Sequence, residues 1–233
     1  MLSELGLGGQ QHGSPAGLER LGAAVLPFVF FWLAAADDRL PASRRPQKRR
    51  RCGKLDAMRQ IVLLRGINVG KAKRIAMADL RELLAGLGHA EVKTLLNSGN
   101  AVVTTDDSAA DTEKAVRAAI SQRYGFDVAV VVRTADQLAK AMATDPFEKI
   151  ATDGSRHFIG FCSAKPKAAA AKSFAALSGD EFQVATSGDH VYAWCPDGLL
   201  GSGLGDVDLP KVLGVDCTMR NWNTAEKLAQ LAV

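Results

Sequence analysis

The feature that most constrains this chain is a short internal echo. "NSGNAVV" runs from Asn97 to Val103, and "TSGDHVY" runs from Thr186 to Tyr192, 89 positions further on. Each lies in the middle of the same succession of segments, so the two matches support each other as signs of a duplicated unit. In the first unit, "RQIVLLRG" (59–66) is a short β-branched apolar run that reads as a fully buried strand. "MADLRELLAGLG" (77–88) places Leu80, Leu83, Leu84 and Leu87 at helical spacing and stops at Gly88. Residues 91–107 read as two strands around Asn97-Ser98-Gly99-Asn100, a turn whose glycine and asparagines tolerate positive φ. A helix over 111–125, capped by Asp111 or Thr112, and a buried strand over 126–134 complete the unit. The order β-α-β-β-α-β is that of ferredoxin-like folds.

The pattern then begins again. "TADQLAKAMA" (134–143) reads as a linking helix, "HFIGFC" (157–162) as a strand and 167–177 as a helix. Residues 180–196 form a second hairpin, and 207–214 and 223–232 are helical. Phe158, Phe161, Tyr192 and Trp194 alternate along strands as core residues do. The fold class is therefore α+β, with two ferredoxin-like repeats and mainly antiparallel sheets, the first over 58–134 and the second over 135–233. In such a unit the first two strands run in the same direction. The "RGINVGK" loop after the first and the "NSGN" turn after the second should meet at one sheet edge.

Charge separates the N-terminal segment from the rest. Of 29 Lys/Arg and 25 Asp/Glu, nine and five fall within residues 1–57. That leaves 20 of each over 58–233, so the repeats are formally neutral and the net charge of +4 belongs to the segment before them. A globally basic, nucleic-acid-binding body is thereby disfavoured. The apolar window at residues 21–36 is broken by Pro27 and is shorter than the ~20 residues of a membrane helix. The Pro/Arg run that follows has no periodicity and reads as disordered. A start at Met58, with 1–57 a spurious extension, is the favoured reading, because a strand begins there at once. An export signal or membrane anchor at 21–36 and a basic interaction arm are the alternatives. Cys162, Cys195 and Cys217 stand singly, without metal-ligand spacing, and read as reduced, buried small hydrophobes in a cytoplasmic protein. Neither a metal nor a cofactor is expected.

The chemical candidates lie in two stretches. "GINVGK" (66–71) is no Walker A loop: three residues separate its glycines, and Ala72 stands where the magnesium-binding hydroxyl belongs. It is compatible with an anion nest, with Gly66 and Gly70 turning amides inward beside Arg65, Lys71, Lys73 and Arg74. In "CTMRNWNTAEKL" (217–228), Asn223 or Thr224 is placed to cap the last helix, with Glu226 completing a capping box. Arg220, Asn221 and Trp222 precede that positive helix end, where amides favour an anion; the alternative is that Trp222 anchors the core while Asn221 and Asn223 tie down backbone. Ser98 and Ser187 sit in turns rather than in a nucleophile elbow. His89, His157 and His190 have no sequence partner that suggests a triad.

"LLRGINVGKAKRIAMADLRELLAGLG", "LLNSGN", "DPF" and "TMRNWNT", in that order, resemble a bacterial family known as domain of unknown function 1697, over residues 58–233 and none of 1–57. The resemblance implies a cytosolic α+β protein of two ferredoxin-like repeats and no established activity. The leading functional reading is a site for a small anionic or phosphate-bearing ligand where Arg65, Gly66, Asn68, Gly70, Ser98 and Asn100 meet, with Arg220 and Asn221 as contributors. The alternatives are an enzyme using an Arg/Asn/Ser constellation, against which stands the lack of an evident base, and a nucleic-acid or protein-interaction module acting through residues 1–57.

Overall fold

The computed structural model describes residues 57–70 and 72–233. The apolar window, the basic run that follows it, and Lys71 lie outside the described residues. Two four-stranded sheets make up the fold. The first contains β1 (Met58–Leu64), β2 (Ala90–Leu95), β3 (Asn100–Thr105) and β4 (Val130–Thr134) in the order β2-β3-β1-β4. The second contains β5 (His157–Cys162), β6 (Gln183–Ser187), β7 (His190–Trp194) and β8 (Cys217–Asn221) in the matching order β6-β7-β5-β8. Every adjacent pair is antiparallel. The helices are α1 (Met77–Gly86), α2 (Ala109–Tyr124), α3 (Ala135–Ala143), α4 (Ala168–Ala175), α5 (Leu209–Leu213) and α6 (Trp222–Leu231).

The apolar runs in the strands have a simple cause: both faces of each sheet are covered. Val62, Leu64, Val103 and Val132 pack beneath Leu80, Leu84, Val116 and Ile120 of α1 and α2. Ile61, Leu63, Val102 and Val131 point the other way, into a central layer shared with Leu138 of α3, Leu228 of α6 and Ile159, Phe161 and Tyr192 of the second sheet. The outer face of that sheet packs Phe158, Cys162 and Val191 against Phe174 of α4 and Leu213 of α5. Antiparallel strands usually alternate in polarity because one face meets water; the inner strands β1, β3, β5 and β7 are buried on both faces, whereas the edge strands β2 and β6 stay partly exposed. Burial of this continuous apolar area is the main stabilising term.

The structure differs from the sequence reading at three places. The cap of α2 is Ser108, whose side chain accepts from Asp111 N at 3.1 Å. Asp111 and Thr112 instead lie inside the helix. The cap of α6 is Asn221, whose Oδ1 accepts from Thr224 N at 3.0 Å, so Asn223 and Thr224 fall within the first turn. In both helices an earlier side chain reaches the same kind of unpaired amide. The third difference is β8, a strand absent from the sequence reading. Its five residues mix Thr, Arg and Asn with apolar ones, and it exists by pairing with β5. The helix read as a link, α3, follows β4 as α6 follows β8.

Candidate functional site

The RGINVGK loop and the NSGN turn do meet. Leu64 N donates to Gly99 O at 2.8 Å. Asn68, at φ 58°, donates from Nδ2 to Asn97 O at 2.8 Å and to Ile75 O at 2.9 Å, while its Oδ1 accepts from Ile75 N at 3.0 Å. Asn68 thus ties the loop to the hairpin and to the approach of α1. Gly99 has φ 80°, and a Cβ there would lie 2.7 Å from Leu64 Cβ, so the contact requires glycine. Gly66 and Gly70 also have positive φ, 67° and 63°, with open space around them.

Behind this edge lies Arg220. Its Nε donates to Asn100 Oδ1, Nη1 to Thr218 Oγ1 and Met219 O (both 2.7 Å), and Nη2 to Leu64 O (2.8 Å) and Ser98 O (3.1 Å). All five guanidinium donors meet protein acceptors, none of them a carboxylate. Burial lowers the Arg220 pKa to about 10, which still leaves it charged at neutral pH. Asn100 Nδ2 in turn donates to Leu95 O (2.9 Å) and Ser98 Oγ (3.0 Å). Arg220 and Asn100 therefore form an interior tie between β8 and the end of the first sheet, reaching out to the exposed Ser98, and Asn221 is occupied as a cap.

Arg65 and Gly66 face the other way, into a cleft of about 380 Å³ lined also by Lys73, Arg117, Asp127, Ala129 and Asp216. The end of β1 places Arg65 there: its amide donates to Ala129 O at 3.0 Å, and its guanidinium approaches Asp216 at 3.8 Å with both side chains 41% exposed. Arg117 of α2 grips Asp127 with two hydrogen bonds of 2.7 and 2.5 Å and holds that carboxyl below the usual carboxylate range. Lys73 Nζ donates to Asp127 O at 2.8 Å. The cleft thus carries three cations and two carboxylates. Lys73 stands among the basic residues of the loop, but nothing in the sequence connects Arg117, Asp127 or Asp216 to Arg65. Only the packing of α2 and the approach to β8 beside β1 brings them together.

A second cleft surrounds a buried pair that the sequence did not disclose. His157 Nε2 lies 3.2 Å from Asp145 Oδ1, and the imidazole stacks on Trp222 with centroids 4.3 Å apart and planes 12° from parallel. Cys162, Cys195 and Cys217 are free and buried. Among the described residues no cluster of three or more His, Cys, Asp or Glu is placed to hold a metal, and no helix is long and apolar enough to cross a membrane.

Comparison with known proteins places this architecture. A family model described as "Protein of unknown function (DUF1697)" matches residues 58–192. The solved structure of a conserved bacterial protein from Streptococcus pneumoniae is similar with a TM-score of 0.60 and 22% identity, over 76% of this chain and 99% of that one. At that identity the likeness concerns the fold. No curated protein matches.

Proposed function

The chain belongs to the family described as Protein of unknown function (DUF1697), and we propose that it binds a small anionic or phosphate-bearing ligand in the cleft at the exit of β1. The observation that carries this reading is the convergence on Gly66 of Arg65, Lys73 and Arg117, from the end of a strand, a loop and a helix. Arg117 and Lys73 are engaged with Asp127, whereas Arg65 meets Asp216 only at 3.8 Å. Arg65 is therefore the cation with the least to lose in turning to a ligand, and its guanidinium suits the two-oxygen edge of a phosphate or carboxylate. Gly66 and Gly70 keep backbone bulk away from the loop surface, with nothing within 4 Å of either Cβ position. Asn68, Ser98, Asn100 and Arg220 serve the same site by holding the loop and hairpin in place, while Asn221 is taken up in capping α6. The formal neutrality of residues 58–233 favours a small ligand over a nucleic acid, and three free buried thiols suit a cytoplasmic protein.

Thermal unfolding with inorganic phosphate, nucleoside phosphates and dicarboxylates, on wild type beside Arg65→Ala, tests the reading. A saturable rise in Tm with at least one of these anions, lost in Arg65→Ala, is expected. A wild type that no anion stabilises, or a ligand held equally well by Arg65→Ala, overturns it.

A further inference from the structure

After α3 the chain turns sharply before entering β5, and Asp145 fixes that turn. Its Oδ1 accepts from Phe147 N at 2.9 Å and meets His157 Nε2, and the His157 and Asp145 side chains are only 4% and 5% exposed. His157 holds Trp222, the first residue of α6, by stacking. The turn also closes on the helix start: Asn223 N donates to Gly154 O at 3.3 Å, and a Cβ on Gly154 would lie 2.3 Å from Asn223 Oδ1. The result is a cleft of about 340 Å³ with a fixed indole, the Met142 thioether and no Lys or Arg in its lining. Glu148 after α3 and Glu226 of α6 reach it from separate elements, and neither is ion-paired among the described residues. This cleft has no lining residue in common with the one at Arg65.

We propose that the cleft between the Asp145–His157 turn and α6 binds a small organic cation, an alkylammonium or guanidinium compound, against Trp222 between Glu148 and Glu226. An indole face attracts a cation, most strongly where water is partly excluded, and a cation is what two unpaired carboxylates lining one cleft lack. The volume is that of a small-ligand site. The His157–Asp145 pair contributes rigidity: it presents the indole in one orientation, so little side-chain freedom is lost on binding.

The test is a titration of the full chain with putrescine and with agmatine at constant ionic strength, read by tryptophan fluorescence. The neutral isostere 1,4-butanediol is the control. Saturable change with at least one amine and none with the diol is expected. The signal should vanish in Trp222→Phe, and binding should weaken about ten-fold or more in the Glu148→Gln/Glu226→Gln double variant, whose exposed sites leave Tm unchanged. Arg65→Ala should bind the amines as wild type does, which separates this site from the anion cleft. No saturable response to either amine, equal binding by the double variant, or a response that sodium chloride reproduces would overturn the proposal.

Discussion

Arg65 and Arg220 show how two arginines near one loop acquire opposite roles. Arg220 is buried with every donor engaged, so Arg220→Ala takes a donor away from Leu64 O, Ser98 O, Met219 O and the Asn100 and Thr218 oxygens. Each buried neutral acceptor that loses its donor costs about 1–3 kcal/mol, and urea denaturation should report a loss of at least about 3 kcal/mol. Arg65 is 41% exposed and loosely paired, so Arg65→Ala should stay within about 0.5 kcal/mol of wild type in the same measurement. Equal losses in the two variants would contradict this division of roles.

At the scale of elements, the junctions between strands and helices decide what the side chains beside them do. β8 runs directly into α6, and Asn221 is both the last strand residue and the cap. Its Oδ1 takes Thr224 N at 3.0 Å and Thr224 Oγ1 at 2.5 Å. β4 runs into α3 in the same way, with Thr134 and Gln137 forming a capping box. Asn221→Ala should therefore lower stability by about 1 kcal/mol. Asn223→Ala, inside the helix and exposed, should change it by less than about 0.5 kcal/mol. Chemical denaturation of the two variants in parallel distinguishes these positions; a larger loss at Asn223 would reassign the cap. β8 itself was absent from the sequence reading; its one local sign is that Arg133-Thr134 and Arg220-Asn221 each put an arginine just before a cap.

Across the whole molecule, the two arginines of those junctions reach reciprocally between the sheets. Arg133 faces Ile61 across β1 as Arg220 faces Ile159 across β5. Arg220 crosses to Leu64 O, Ser98 O and Asn100, while Arg133 crosses to Cys162 O (2.6 Å), Asp189 (2.7 Å) and His190 Nε2 (3.5 Å). The halves differ here in two respects: Arg133 meets a carboxylate, Asp189, where Arg220 meets none, and by strand register His190, opposite Phe161, stands where the first half has Asn100, opposite Leu63, one position off the 89-residue echo. Its Nε2 accepts from Arg133 while its Nδ1 faces Asp189 at 3.1 Å, an arrangement that needs neutral imidazole. Burial pushes the His190 pKa below its ordinary 6.5, with Asp189 opposing and Arg133 adding to the drop; burial lowers His157 too, with Asp145 opposing. As pH falls through 6.5 the unfolded chain takes up these protons first. Their contribution is therefore intact above that value and is lost as pH drops toward the depressed folded pKa values. Wild-type stability should accordingly decline as pH falls through and below 6.5. His190→Asn, which copies the other half's tie, should flatten part of that decline. A His190→Asn profile parallel to wild type would refute the assignment.

Local rules settled the order of elements up to α5, the internal echo and the encounter of the RGINVGK loop with the NSGN turn, but not β8. Those follow from periodicity, turn chemistry and strand direction, which act within a few dozen residues. Which polar side chain is a tie and which is free for a ligand was not legible in that way. Arg220 draws its acceptors from residues 120 and 156 positions away, and Arg65 meets Asp216 and Arg117 only because the two sheets and α2 pack around one edge. The same holds for His157, which gains Trp222 from the far end of the chain. A charged or aromatic side chain takes its role from how far it is desolvated and what surrounds it, and both are set by segments distant in sequence. The chain by itself determined the scaffold and its shared edge; the tertiary structure alone decided which residues at that edge were buried and which were left facing water.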